Sequence, residues 1–147
     1  MTNIRLSMAS FIAFALLISP ARSQWNPVGG LLDVPVTRDC SLTEGEIALA
    51  APDGIFYCPS RARTADAQVA DASHFYLVHA YGRLAIHTSS NKLADCWAAH
   101  QLAQAPNGRY YVKQWIQHWR TYGTRNLSYG PTEQRIANVR SCCACGL

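Results

Sequence analysis

The chain has 147 residues, of which 49% are hydrophobic and 15% charged, and carries a formal net charge of +4 at pH 7. Its 13 basic residues are scattered, without the clustering of a nucleic-acid footprint, so there is no strong nucleic-acid signal. The longest apolar run, Met8 to Ile18, is 11 residues, well short of the ~20 that cross a membrane, so no span is expected.

That run belongs to an N-terminal segment with the order of a secretory leader. Arg5 precedes it, and Ala21-Arg22-Ser23 follows as a small-residue cleavage site. The expectation is a signal peptide over residues 1–23 and one mature domain over 24–147, secreted or periplasmic. Without Arg5 and Arg22, 11 basic side chains face 9 acidic ones, which names no charged partner. All six cysteines, Cys40, Cys58, Cys96, Cys142, Cys143 and Cys145, fall in the mature part. An even count in an exported chain predicts disulfides, and six cysteines allow fifteen pairings, so connectivity stays open. The CCAC cluster cannot pair wholly within itself, so at least one member reaches back to Cys40, Cys58 or Cys96. Cys142 and Cys145 have zinc-ligand spacing, but no second such pair completes a site.

In chain order, VPVTRDC has the alternation of a strand. EIALAAPDGIFYC reads as a hairpin around a Pro-Asp-Gly turn, with Pro59 ending its second strand. From Thr64 the texture becomes helical: Thr64 caps, Asp66 suits the positive end of the dipole, and nothing interrupts before Gly82. Leu77, Val78, Tyr81, Leu84 and Ala85 have the spacing of one buried stripe. A second helix is predicted over Asn91 to Ala105, stopped by Pro106-Asn107-Gly108. A third runs from Arg109 to Tyr122, and a fourth opens after Gly130 with Ile136, Val139 and Cys143 on one face. The expected fold is therefore α+β, a short N-terminal hairpin or sheet followed by about four helices, disulfide-bonded.

GIFYCP, then VHAYGRLAIH, then ADCWAAHQLA resemble, over about Gly54 to Ala105, a small exported zinc metallopeptidase of the gluzincin class. In that class one helix carries His-Glu-x-x-His and the next supplies a Glu four residues before an Asp. The resemblance implies that His79 stands at the first ligand position and Asp95 at the carboxylate that orients a ligand imidazole. It also puts Ala80 at the general base, Arg83 at the second ligand and Asn91 at the third. A methyl group accepts no proton, and a guanidinium has no lone pair for a metal. A catalytic zinc takes three protein ligands, so the vestigial frame predicts no catalytic residue and no bound metal, with zinc kept as an alternative. His79 and His87, eight residues apart on a straight helix, are too far apart to share an ion. With the two helices packed as in the family, Arg83 is expected either to point into the vacated site and meet Asp95 beside His79, in place of the ion, or to extend into solvent.

Other signals are blander. KQWIQHWRTYG offers rings for stacking sugars or bases, but its three- and four-residue spacing predicts a buried stripe. His and Lys113 allow a nuclease reading without singling out a pair. Asn126-Leu127-Ser128 is a glycosylation acceptor if the source is eukaryotic, and Cys96 is expected in a disulfide. The expected function is a non-catalytic pseudopeptidase with a binding or structural role, its partner a peptide or protein. The alternatives are an active zinc-dependent peptidase or hydrolase with rearranged ligands, and a small secreted nuclease or carbohydrate-binding module.

Overall fold

A computed structural model describes residues 34–123 and 127–147. The predicted leader over residues 1–23 and the acceptor Asn126 lie outside the described residues. The architecture is α+β. Strands β1 (Val36–Arg38), β2 (Ala48–Ala51) and β3 (Gly54–Tyr57) form a sheet of order β1-β3-β2. The central strand runs parallel to β1 and antiparallel to β2, and β2 and β3 are joined through Pro52 and Asp53 with Ala51 opposite Gly54. This is the expected hairpin. Gly54 has φ +151°, and a Cβ there would lie 2.5 Å from the Pro35 carbonyl oxygen, which already accepts the Ile55 N–H at 2.9 Å.

Among the described residues five α-helices follow: α1 (Pro59–Gln68), α2 (Ser73–Ala85), α3 (Asn91–Gln104), α4 (Gly108–Tyr122) and α5 (Thr132–Cys143). None of the described helices is long and apolar enough to cross a membrane. The single helix expected from Thr64 is two. Pro59 opens α1, where its missing N–H costs nothing, and Thr64 lies inside that helix with its hydroxyl donating to the Ser60 carbonyl. Val69 then turns extended and Asp71 takes φ +59°, which ends α1. Asp66 does meet the positive end of a dipole, but that of α2: its carboxylate accepts the Ser73 N–H and hydroxyl, each at 2.8 Å. No Pro or Gly marks this break.

The buried stripe of α2 also differs from the expected one. Phe75, Val78, His79 and Gly82 face the core, while Leu77, Tyr81, Leu84 and Ala85 are half-buried. Close packing against α3 selects the face: a Cβ at Gly82 would sit 2.9 Å from Trp97 Cε3 and 3.1 Å from the Ala94 carbonyl oxygen. Gly82→Ala is accordingly expected to cost about 1–3 kcal/mol in urea unfolding, the usual cost of overpacking. An unchanged midpoint would show that the helices separate freely.

Helix α3 packs against α2, α4 and α5, and the small side chains of Ala94 and Ala98 leave room for them. The core centres on Trp115 and Trp119 of α4, stacked at 5.7 Å, with Phe75 on Trp115 at 4.3 Å. The aromatic stripe is thus core at both tryptophans, while Tyr122 is 49% exposed. All six cysteines are bonded: Cys40–Cys58 ties the turn after β1 to the start of α1, Cys96–Cys142 ties α3 to α5, and Cys143–Cys145 closes the end of α5. The reach back from the CCAC cluster runs through Cys96.

Candidate functional site

His79 and Asp95 face each other across α2 and α3, only 5% and 1% exposed. His79 Nδ1 lies 2.7 Å from Asp95 Oδ1, and since a carboxylate only accepts, Nδ1 carries the proton. One turn away on both helices, Arg83 Nη1 donates to Asn91 Oδ1 at 3.1 Å. The two pairs run in opposite order along the chain, so α2 and α3 are antiparallel, with the four positions on facing stripes.

The cation that meets Asp95 is not Arg83. Arg83 Nη2 donates to the Ser89 carbonyl at 2.9 Å, within the segment that turns back after α2, where His87 has φ +49°. Asn91 in turn donates to the Ser128 carbonyl at 3.1 Å, so it holds Arg83 and the Leu127–Tyr129 turn together. Asp95 is taken by Arg135 of α5, whose Nε reaches Oδ2 at 2.6 Å and whose Nη2 reaches Oδ1 at 2.7 Å. Such a two-point fork is the strongest geometry a carboxylate and a guanidinium adopt. The guanidinium carbon lies 4.0 Å from the Trp119 ring centroid and 4.1 Å from that of Tyr129, so aromatic faces further stabilise its charge.

Burial alone would raise the Asp95 carboxyl; the hydrogen bonds from Arg135 and His79 outweigh it and hold the group below the usual carboxylate range. Without partners, a buried carboxylate costs several kcal/mol. The cluster is therefore a neutralised charge centre around which α2, α3 and α5 meet.

The donor set does not fit zinc. His79 Nε2 is buried without a hydrogen-bond partner among the described residues and is the nitrogen of the frame offered for ligation. Both Asp95 oxygens are occupied, Ala80 is buried with only a methyl group, and a permanent cation stands beside the carboxylate. Among the described residues no group of three or more His, Cys, Asp or Glu side chains is placed to share an ion. The other histidines lie apart from this cluster. His118 Nε2 donates to Gln68 Oε1 and its Nδ1 accepts the Tyr76 hydroxyl, both at 2.9 Å, and burial lowers its pKa. His74 stacks on Tyr111 at 4.0 Å, His100 contacts Gln104, and His87 lies past the end of α2. No pair of them is brought together for acid–base work.

Above Asp95 and Arg135 opens a cleft of about 770 Å³, walled by the start of α3, the Leu127–Tyr129 turn and α5. Its lining is rich in hydroxyl and amide groups, among them Ser89, Ser90, Gln134 and Asn138; Lys92 and Arg135 are its cations and Asp95 its acid. Sequence reasoning passed over Arg135 and Tyr129. The signal was present for the first: Ile136, Val139 and Cys143 mark the inner face of α5, and Arg135, four before Val139, lies on it. Comparison of the chain with protein-family profiles, curated sequences and solved structures returns no match.

Proposed function

We propose that the chain is an exported, non-catalytic protein built on a gluzincin-like frame, in which a guanidinium neutralises the orienting carboxylate and the remaining role is binding. The observation that carries this reading is the fork of Arg135 on Asp95, beside the His79 imidazole that the same carboxylate orients. Two further contacts support it. The positions matching first ligand and orienting carboxylate meet at 2.7 Å, and those matching the second and third ligands meet at 3.1 Å. That is the pairing a two-helix metal site requires, with its chemistry replaced. Arg135 neutralises the orienting carboxylate from α5, on the side of Asp95 away from His79 Nε2, and nothing at position 80 can take a proton from water. Disulfides and the leader-like segment over residues 1–23 favour a secreted or periplasmic location.

Metal content after dialysis against micromolar zinc tests the proposal. The natural chain is expected to retain only substoichiometric zinc, and Ala80→Glu, Arg83→His and Asn91→Glu made together are expected to raise this to one ion per chain. Stoichiometric zinc in the natural chain, released by His79→Ala, overturns the non-catalytic reading. A folded triple variant that takes up no zinc overturns the gluzincin-like frame instead.

A further inference from the structure

A groove of about 640 Å³, sharing no residue with the cleft above Asp95, is lined by Arg109, Tyr110, Lys113 and Ile116 of α4, by Arg140 of α5 and by Leu147. Its wall is pinned. The Cys143–Cys145 bond and the left-handed Ala144 (φ +49°) turn the chain back after α5, and Arg109 Nη2 donates to the Gly146 carbonyl at 2.9 Å. The Tyr110 hydroxyl donates to Asp71 Oδ2 at 3.1 Å, which steadies that 41% exposed ring. Three cations and no acidic side chain line the groove. Among the described residues none of the three forms an ion pair, either with a side chain or with the Leu147 carboxylate. Arg109 also stands in the first turn of α4, at the positive end of its dipole, where no acidic residue offsets it.

We infer that this groove docks an acidic peptide segment of a partner protein, in which two carboxylates flank an apolar side chain. Lys113 and Arg140, both exposed, are the receiving cations, since Arg109 is engaged in holding the wall. The Tyr110 ring and Leu147 supply the apolar surface, with Ile116, 5% exposed, beneath. The volume suits a few peptide residues, whereas a lone inorganic anion leaves the apolar lining uncovered. A long polyanion fits less well, because the next cation on that face of α4, Arg120, is already held by Glu133 at 3.0 Å. The inference rests on the binding role proposed above and gives it a partner class.

The test is titration of the full chain, observed by proton–nitrogen NMR, with four probes: acetyl-Glu-Leu-Glu-amide, the uncharged acetyl-Gln-Leu-Gln-amide, inorganic phosphate and a short oligothymidylate. The acidic peptide is expected to give saturable shifts at the backbone amides of Arg109 to Lys113, of Arg140 and of Gly146 and Leu147. The uncharged peptide is expected to bind about tenfold more weakly, as for loss of two solvent-facing charge contacts, and phosphate and the oligonucleotide also more weakly than the acidic peptide. Lys113→Ala and Arg140→Ala, at exposed positions, are each expected to weaken the acidic peptide about threefold, and together about tenfold, with the urea midpoint unchanged. Arg63→Ala, which removes an exposed cation of α1, is expected to leave the affinity as it is. Absence of saturation, equal binding of the uncharged peptide, tighter binding of phosphate or of the oligonucleotide, or unaltered affinity in the double variant would each overturn the inference. Zinc content and peptide cleavage on the same sample report separately on the non-catalytic reading, so either can fail alone.

Discussion

Replacing Arg135 by methionine is expected to remove about 3–5 kcal/mol of stability, as when one partner of a buried ion pair is lost. Methionine fills much of the space between Trp119 and Tyr129, so the loss measures charge rather than a cavity. Asp95 would remain 1% exposed with only His79 as partner. Urea unfolding followed by tryptophan fluorescence gives the number, since Trp115 and Trp119 lie in the same core. Adding Asp95→Asn to this variant is expected to restore part of the loss, because the amide needs no counter-charge and still accepts from His79. The pH dependence has a definite sign. Asp95 titrates below its unfolded value, so its contribution is fully present above about pH 4 and fades as pH falls through the lower folded value. In Arg135→Met burial acts with less opposition, the folded pKa rises, and acid unfolding begins at higher pH. A variant within about 1 kcal/mol of the natural chain would show the pair to be dispensable, as surface ion pairs are.

Removing the Cys96–Cys142 bond by Cys96→Ser with Cys142→Ser is expected to cost about 4 kcal/mol, the chain-entropy value for its sequence separation of 46. The Cys143–Cys145 bond spans a separation of only 2, and the same reasoning gives about 1.5 kcal/mol for Cys143→Ser with Cys145→Ser. Denaturant midpoints under non-reducing conditions decide it. Equal losses, or a larger one for the short loop, would mean that local packing rather than loop closure governs these bonds. The longer bond has a second effect, because Cys96 follows Asp95 directly and Cys142 lies on the helix of Arg135. It fixes α3 to α5, the two elements that carry the charge pair.

Much of this fold was legible from local chemistry. The Pro-Asp turn with Gly54 forces a hairpin, Pro106-Asn107-Gly108 separates α3 from α4, and the spacing of Trp115 and Trp119 put both in the core. The break between α1 and α2 was hidden because Val69 and Asp71 adopt their conformations without glycine or proline, under the tertiary pull of the Asp66 cap on Ser73. At the site, the pairing of His79 with Asp95 followed from two short motifs on neighbouring helices. The identity of the cation did not. Arg83 lies nearer in sequence, but the Ser89 carbonyl and the Asn91 amide hold it, while Arg135 arrives from 40 residues beyond Asp95. No periodicity within one helix encodes that meeting, although a charged residue on the inner face of α5 was its trace.

The enclosure of Arg135 by Trp119 and Tyr129 has one more consequence. Mobile ions weaken charge contacts that they can surround, and the exposed Arg120–Glu133 pair at 3.0 Å is of that kind. The Arg135–Asp95 pair, with side chains 3% and 1% exposed, is beyond their reach. A protein so built keeps its central electrostatic contact whether its surroundings are fresh or briny.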